Sequence, residues 1–270
     1  QSLQSGSWVK FICGASNQDV PLIRNLCYLY TTAGVDCIDI SVDEAVVAAA
    51  EEGISAALRD CNQGPLPPSH PLTRPLLMIS VNDAADLHFR KAYFDIQQCP
   101  ADCPRPCERV CPAWAIPPLA PLPSIPASPT SLLSPCYGCG RCIPICPLGL
   151  IDAQTYTSSR EQVRRLLLSG AVDAVEIHTQ AGHESAFASL WAEIGTEALT
   201  LSAIAVSFPP IGHMGQGTRP YLDSLQGVVA KHPKWPDFGG FQIWQADGRP
   251  MSGDIGRGTA HASSQLAAQL

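Results

Sequence analysis

The sequence predicts an α/β fold in which a cysteine-rich domain interrupts a scaffold of alternating strands and helices. Short apolar runs separated by amphipathic segments recur in both halves of the chain. That alternation is typical of βα units around a parallel sheet. Between the halves, eight of the twelve cysteines form two tight runs. A chain of 270 residues, 46% of them hydrophobic, is long enough to build both parts.

The first half of the scaffold contains three predicted strands and two predicted helices. Each strand is a short apolar run, whereas each helix repeats apolar residues every three or four positions. In chain order, the sequence predicts a strand over residues 8–14, a helix over 20–33, a strand over 35–42, a helix over 43–58 and a strand over 76–81.

The second half repeats the same alternation. Ser158 and Glu161 form a predicted capping box at the start of a helix. After it we expect a strand over 172–177, a helix over 185–194, a strand over 199–208, a helix over 221–230 and a strand over 240–245. Six parallel strands favour a TIM-barrel-like scaffold, complete or incomplete within this chain, and an open doubly wound sheet is the alternative.

The cysteine-rich region is predicted to be a ferredoxin-like insert. Residues 91–156 form this domain, between scaffold segments 1–90 and 157–270. Its predicted edge strand covers 93–97, and the returning strand covers 150–154. The intervening proline-rich segment, 117–135, is predicted to be an extended linker.

The second cysteine run has the spacing of bacterial ferredoxins, C-x2-C-x2-C-x3-C-P. Its members are Cys136, Cys139, Cys142 and Cys146. Gly138 and Gly140 permit a tight loop that lets backbone N–H groups approach the sulphurs. Pro147 ends the turn and leaves the last thiolate free to point elsewhere.

The first run is a stretched version, C-x3-C-x3-C-x3-C-P, whose members are Cys99, Cys103, Cys107 and Cys111. In two-cluster ferredoxins the fourth cysteine of each run ligates the other cluster. We therefore expect two iron–sulphur clusters. The [4Fe-4S] cluster would take Cys111, Cys136, Cys139 and Cys142. A more labile [4Fe-4S] or [3Fe-4S] cluster would take Cys99, Cys103, Cys107 and Cys146.

Three other interpretations of the cysteines fit less well. Zinc sites commonly pair two C-x2-C motifs across a longer loop, often with histidine, and neither run contains histidine. Disulfides are compatible with the even count, but no signal peptide is visible and a chain of this size does not need them. A radical enzyme would need C-x3-C-x2-C, which the first run misses by one residue.

Other chemistry-bearing residues give weaker signals. A glycine-rich segment, 251–258, follows the last predicted strand and is a candidate phosphate-binding loop. Four polar residues near strand ends or in loops are candidates of lower rank: Asp83, His178, His213 and Asp247. No nucleophile–base or carboxylate pair emerges, so no catalytic residue is predicted. The remaining thiols are expected to be structural: Cys13, Cys27, Cys37 and Cys61.

Composition limits the function further. The net charge of −7 argues against a general nucleic-acid or anionic-membrane binder. The sequence contains no run of eighteen apolar residues, so we expect no membrane span. Reduced thiols and clusters indicate the cytoplasm. The chain begins without Met and stops inside an apolar periodic run, residues 260–270, so we expect it to be a fragment.

The whole chain resembles the cyanobacterial light-dependent period family, iron–sulphur modulators of the circadian clock. The resemblance lies in residues 8–17, the two cysteine runs and residues 251–259. It implies a redox sensor whose partners are a clock-input histidine kinase and the core clock proteins. The eight cysteines correspond to the family's cluster ligands, and no catalytic residue carries over.

Two functions of different class follow. A sensor would change the charge or integrity of its clusters with cellular redox state, and so change its affinity for partner proteins. An oxidoreductase would hold a flavin or a substrate at the carboxyl ends of the barrel strands and receive electrons from the clusters. Since no flavin or nicotinamide motif is recognisable in the sequence, the sensor is favoured.

Overall fold

The computed structural model describes residues 2–63, 72–86, 88–116, 136–212, 215–248 and 258–270. The chain forms two compact units. We call the first, Gln1–His88 with Thr157–Leu270, the scaffold, and the second, Phe89–Tyr156, the cysteine unit. The proline-rich segment, His213 and all but the last residue of the glycine-rich segment lie outside the described residues.

The described residues contain eight strands. In chain order these are β1 (Lys10–Ile12), β2 (Cys37–Ser41), β3 (Leu76–Asn82), β4 (Arg90–Tyr93), β5 (Asp152–Thr155), β6 (Ala174–His178), β7 (Ala203–Phe208) and β8 (Phe241–Ala246). In the scaffold, six of them form one parallel sheet in the order β1-β2-β3-β6-β7-β8. This confirms the α/β class. A doubly wound sheet requires a reversal of strand order, which this sheet lacks in the described part of the chain.

Nine α-helices lie in the described ranges. They are α1 (Ser2–Ser5), α2 (Val20–Thr32), α3 (Glu44–Gln63), α4 (Pro106–Val110), α5 (Cys142–Ile145), α6 (Arg160–Leu168), α7 (Glu184–Ala198), α8 (Thr218–Ala230) and α9 (Thr259–Ala267). In the scaffold, α1 precedes the first strand, and the other helices connect or follow the parallel strands, as the predicted alternation requires. Among the described residues, no helix is both long and apolar enough to cross a membrane.

The scaffold sheet has two different faces, because successive residues of a strand point to opposite sides. On one face, side chains such as Ile40, Ile79 and Val175 pack with residues of the helices in the main core. On the other face, near the start of the strands, a smaller apolar cluster includes Met78 and Ala205. Polar residues continue that second face toward the carboxyl ends of the strands.

The sheet is curled. The Nζ atom of Lys10, on edge strand β1, donates to Oε1 of Gln245 on the opposite edge strand β8 at 2.7 Å. In a flat sheet, five strand spacings of about 4.8 Å would hold these strands about 24 Å apart. Two side chains cannot span that distance, so the six strands form part of a barrel wall with the polar face inside. Closure into an eight-stranded barrel stays a prediction.

One predicted cap was wrong by a single residue. Ser159, not Ser158, is the N-cap of α6, and its side chain accepts from the amide of Gln162 at 3.5 Å. The amide and hydroxyl of Ser158 lie 3.0 and 3.3 Å from Oδ1 of Asn82, at the end of β3. Ser158 is therefore engaged by a buried strand end and does not cap the helix.

Three predicted strands have different bounds because neighbouring groups hold the backbone otherwise. The segment 93–97 is not a strand beyond Tyr93, since the Asp95 side chain accepts from the Gln97 amide at 3.0 Å and starts a 3-10 turn. The strand predicted from residue 199 begins at Ala203, because α7 continues to residue 198. The strand predicted from Leu150 begins at residue 152, since the Leu150 amide donates a hydrogen bond to Sγ of Cys146.

The cysteine unit is built from one antiparallel pair of strands and two short helices. Strands β4 and β5 pair from Arg90 with Thr155 to Tyr93 with Asp152. A small core joins this pair to the cysteine loops; it contains Ala92, Phe94, Ile116, Ile151 and three of the cysteines. The hydrophobic support of the loops is therefore local to this unit. Its ferredoxin likeness stays a prediction.

Candidate functional site

The structure brings Cys111, from the first run, together with three cysteines of the second. One pocket of the cysteine unit is lined by Cys111, Cys136, Cys139 and Cys142. Its other walls include the apolar side chains of Ala92, Ala115 and Ile116. These are the four cysteines that the ferredoxin rule assigns to one cluster.

The remaining four cysteines also interact with one another. The thiols of Cys99 and Cys103 interact. Burial raises the pKa of Cys99, and the charges of Cys103 and Cys107 contribute to the same shift. Burial likewise raises the pKa of Cys107, and the charge of Cys146 adds to it. Cys146, from the second run, is therefore a neighbour of the first run.

Backbone amides donate to the sulphurs in both groups. The amide of Ala115 lies 3.2 Å from Sγ of Cys111, and that of Leu150 lies 3.4 Å from Sγ of Cys146. Cys136 accepts from two amides, at 3.3 and 3.4 Å. Burial raises the pKa of Cys142 to about 12, and the charges of neighbouring cysteines add to the shift. Thiolates so arranged need a cationic partner, and the residues fit an iron–sulphur cluster.

The two runs share a local fold. Cys107 lies in α4 and Cys142 in α5, and the fourth cysteine of each run is the C-cap of its helix. The amides of those last cysteines, Cys111 and Cys146, bond the carbonyl three residues earlier at 3.3 and 3.4 Å. In both runs the amide four residues further along then donates to the sulphur. The runs are two copies of one cysteine-holding turn, despite their unequal spacing.

The copies differ at two backbone positions with positive φ. Two residues before the third cysteine stands Gly140 (φ 72°) in the second run and Arg105 (φ 48°) in the first. Three residues after the fourth cysteine stands Gly149 (φ 63°) in the second run and Trp114 (φ 51°) in the first. Glycine adopts this conformation without strain, whereas arginine and tryptophan do not. No other non-glycine residue in the described ranges has positive φ.

A second polar site lies inside the curled sheet of the scaffold. Lys10 forms buried ion pairs with Glu176 and, at 3.8 Å, with Asp39. Although burial opposes the charge of Lys10, the two carboxyl groups raise its pKa. Burial raises the pKa of Asp39 to about 7, while the Lys10 charge outweighs burial at Glu176 and lowers the pKa of that carboxyl.

This difference predicts a pH-dependent effect of Asp39→Asn. The folded protein holds a proton on Asp39 up to about pH 7, whereas the unfolded chain releases it near pH 4. Binding of this proton therefore stabilises the folded protein fully below pH 4, and the stabilisation disappears as the pH rises to 7. Since asparagine is always neutral, we expect the variant to gain roughly 2–4 kcal/mol in free energy of unfolding relative to wild type between pH 4 and 8. Urea unfolding at both pH values measures it, and an equal difference at both would contradict it.

The lower-ranked candidates have different surroundings. His178 ends β6 inside the sheet, with Nε2 3.3 Å from Oγ of Ser80. Asp83 accepts from Thr179 at 2.5 Å and contacts Nδ1 of His183 at 2.9 Å, so it ties two loops together. Burial raises the pKa of Asp247 to about 7. No signal in the sequence indicates Asp86 and His88, which follow β3 and lie next to His178.

The four cysteines outside the runs lie in the scaffold. Cys13 and Cys27 are buried in the main core, where their thiols interact. Cys37 belongs to the smaller cluster inside the sheet, and Cys61 is half-buried on α3. None of these four cysteines lines the pocket that contains Cys111, Cys136, Cys139 and Cys142.

Together, the fold and the matched domain define an α/β protein that carries an iron–sulphur-binding domain. Residues 99–157 match the family model of the LdpA Fe-S cluster-binding domain, and residues 166–270 match that of the Light dependent period A C-terminal domain. Light dependent period A of Synechococcus elongatus is 45% identical over 267 residues, 99% of this chain and 68% of that protein. The chain belongs to the Light dependent period A family, as the resemblance implied. No solved structure matches it significantly.

Proposed function

We propose that the protein is an iron–sulphur redox sensor that conveys cellular redox state, and with it light input, to the circadian clock. Its partners would be a clock-input histidine kinase and the core clock proteins, and its location the cytoplasm, where thiolate ligands persist. Family membership supports the clock role. The observation that carries the sensing role is the difference between two otherwise equivalent cysteine turns, glycine in one and large side chains in the other.

The proposed ligands are the eight cysteines of the two runs. A [4Fe-4S] cluster would be held by Cys111, Cys136, Cys139 and Cys142. A second cluster, [4Fe-4S] or [3Fe-4S], would be held by Cys99, Cys103, Cys107 and Cys146. When bound, such clusters accept or release one electron at a time. The protein's own amides and charges would set how readily they do so.

Arg105 gives the second cluster a cationic neighbour. This buried guanidinium lies 3.8 Å from Sγ of Cys99 and bonds the Glu108 carboxylate at 2.5 Å. A positive charge next to the sulphurs stabilises the reduced form, which carries the extra electron. The left-handed backbone at this position costs about 1 kcal/mol for a non-glycine residue. We infer that the side chain tunes the potential of this cluster.

We expect Arg105→Gln to lower the midpoint potential of that cluster by roughly 40–80 mV. The shift corresponds to losing an interaction of about 1–2 kcal/mol with the reduced form. Glu108→Gln, which removes the opposing charge of the same ion pair, should raise the potential. Anaerobic redox titration followed by electron paramagnetic resonance measures both. Shifts in the same direction for the two variants would contradict the assignment.

Trp114 offers a contact surface beside the other cluster. Its side chain is 87% exposed although its backbone is left-handed. The residues on either side of it, Ala113 and Ala115, line the pocket that contains Cys111. A change of charge in that pocket would therefore act on residues directly adjacent in sequence to an exposed indole. Tryptophan is among the residues that contribute most to protein interfaces.

The test of the sensing role compares partner binding in two redox states. The affinity of the anaerobic protein for the histidine kinase is expected to differ at least about tenfold between oxidised and dithionite-reduced protein, a difference of about 1.4 kcal/mol. Isothermal titration or an equilibrium binding assay provides the measurement. Equal affinities in the two states would overturn the sensor proposal.

Trp114→Gly is expected to weaken kinase binding by about tenfold or more, which is typical of an interface anchor. Because glycine suits the left-handed backbone, as Gly149 does in the other run, the variant should keep its iron and its thermal stability. Leu168→Ala, at an exposed leucine of the scaffold, is the control and should bind normally. Unchanged affinity of Trp114→Gly would remove the indole from the interface.

An oxidoreductase is the second candidate. The polar interior of the curled sheet favours it. This interior holds the buried ion pairs of Lys10 and, at the carboxyl end of β6, the buried His178. Barrel active sites lie at the carboxyl ends of the strands. An absorption spectrum of anaerobically purified protein separates the two functions. A flavin band, or turnover of a nicotinamide donor, would support the enzyme. A broad iron–sulphur shoulder that dithionite bleaches would support the sensor.

A further inference from the structure

Three side chains of the scaffold converge at the carboxyl edge of the sheet. His178 is the last residue of β6, and Asp86 and His88 follow the neighbouring strand β3. One possible ligand atom from each of the three lies within 4.8 Å of the others. In α/β sheets, ligands commonly bind beyond the carboxyl ends of adjacent strands. None of these residues belongs to the cysteine unit.

Asp86 is the central member of this group. One carboxylate oxygen, Oδ1, accepts from the His88 amide at 2.7 Å and lies 3.2 Å from Nδ1 of the same residue. The other, Oδ2, lies 3.9 Å from Nδ1 of His178. Asp86 is 3% exposed, and Oδ2 has no hydrogen-bond partner among the described residues. A buried carboxylate oxygen without a partner is costly, and a cation between these atoms would satisfy it.

The other ring nitrogen of His178, Nε2, also lies close to polar side chains. This nitrogen lies 3.3 Å from Oγ of Ser80 and 3.5 Å from Oε1 of Glu176. Glu176 is in turn held by the buried Lys10. When Nε2 carries the proton, Nδ1 presents its lone pair toward Asp86. Histidines that bind metals commonly have this arrangement, with the second ring nitrogen fixed by a carboxylate or hydroxyl.

We propose that Asp86, His88 and His178 bind a single divalent transition-metal ion, zinc or ferrous iron, separate from the iron–sulphur clusters. Two imidazoles and one carboxylate, without a thiol, are the ligand set of many such ions. The distance from Asp86 Oδ1 to Nδ1 of His88 is 3.2 Å, and that from Asp86 Oδ2 to Nδ1 of His178 is 3.9 Å, so an ion with bonds of about 2.0–2.2 Å can contact the atoms of either pair. Three protein ligands leave coordination positions for water or a substrate.

The test uses the cluster-loaded protein, purified without oxygen, incubated with zinc and desalted. We expect about one zinc per chain in addition to the iron, in line with one three-ligand site. X-ray absorption at the zinc edge should show nitrogen and oxygen neighbours at about 2.0–2.2 Å and no sulphur at about 2.3 Å. Added zinc should also raise the melting temperature.

Asp86→Asn and His178→Gln are each expected to weaken zinc binding at least about tenfold, as loss of a ligand predicts. Their iron content should match wild type. Asp86→Asn keeps an oxygen acceptor for the His88 amide, and its metal-free melting temperature should equal that of wild type, so lost zinc would not reflect misfolding. His261→Gln, at an exposed histidine of α9, is the control and should retain the zinc.

Three results would overturn the proposal. Sulphur neighbours would assign the bound zinc to the cysteines. Undiminished zinc in the Asp86→Asn/His178→Gln double variant would place it elsewhere. Failure to take up either zinc or ferrous iron would mean that these side chains form only an internal hydrogen-bond and ion-pair group. The outcome is independent of the sensing role, because cluster content and kinase binding are measured separately.

Discussion

Cys111→Ser is expected to remove about four of about eight irons, the content of one cubane cluster. By sequence Cys111 belongs to the first run, but in the structure it shares a pocket with Cys136, Cys139 and Cys142. Serine is a poor substitute for a thiolate ligand. The spectrum of the cluster that remains should therefore match that of Cys142→Ser, not that of Cys107→Ser. Iron analysis and electron paramagnetic resonance of anaerobic protein measure this.

The reciprocal variant makes the test specific. Cys146→Ser, in the second run, should resemble Cys107→Ser, because the two thiols interact. Cys61 lies on the scaffold helix α3, and Cys61→Ser is the control variant that should retain all the iron. If the iron content and spectrum of Cys111→Ser instead resemble those of Cys107→Ser, each cluster takes its ligands from one run. The proposed exchange of the fourth cysteine between clusters is then contradicted.

That Cys111 lines one pocket with three cysteines of the second run could be predicted from the sequence, because a known spacing rule pairs the fourth cysteine of one run with the first three of the other. The left-handed backbone at Arg105 and Trp114 could not. Composition predicts positive φ at glycine, and nothing in the sequence indicates it at arginine or tryptophan. It becomes visible only when the two turns are compared position by position. Gly140 and Gly149 in the regular run then identify the strained positions in the stretched one.

The strands of the scaffold were predictable because buried parallel strands are continuous apolar runs. Their bounds were less so, since side chains such as Ser159 and Asp95 redirect the backbone through local hydrogen bonds. A signal for the polar interior was present. Lys10, Asp39 and Glu176 are charged residues within otherwise apolar strands, which is unusual for a core. That the three lie together depends on the curl of the sheet, which strand patterns do not encode.

The group of Asp86, His88 and His178 shows a different limit. About ninety residues separate its loop from its strand, and the whole cysteine unit lies between them in sequence. Only the pairing of β3 with β6 makes the two segments neighbours. The sequence singled out His178 as the end of a strand, but its companions had no motif to indicate them.

Lys10→Met is expected to lower the scaffold's free energy of unfolding by about 3–5 kcal/mol, the usual cost of removing one partner of a buried ion pair. Methionine fills a similar volume, so the loss is electrostatic: the carboxylate of Glu176, and above about pH 7 that of Asp39, stay buried without a cation. The loss should grow as the pH rises, because these carboxyl groups must then be protonated or held as buried anions. Urea unfolding followed by far-UV circular dichroism provides the measurement.

The double variant Lys10→Met/Glu176→Gln distinguishes this explanation from a packing defect. With the charge of Glu176 removed as well, much of the lost stability should return, since a neutral pair of similar volume can replace a buried ion pair at little cost. If the double variant is as unstable as Lys10→Met, methionine packs badly and the ion pair is not responsible. If Lys10→Met alone costs less than about 1 kcal/mol, the value for exposed pairs, water reaches these groups and the curled sheet encloses a wet cavity.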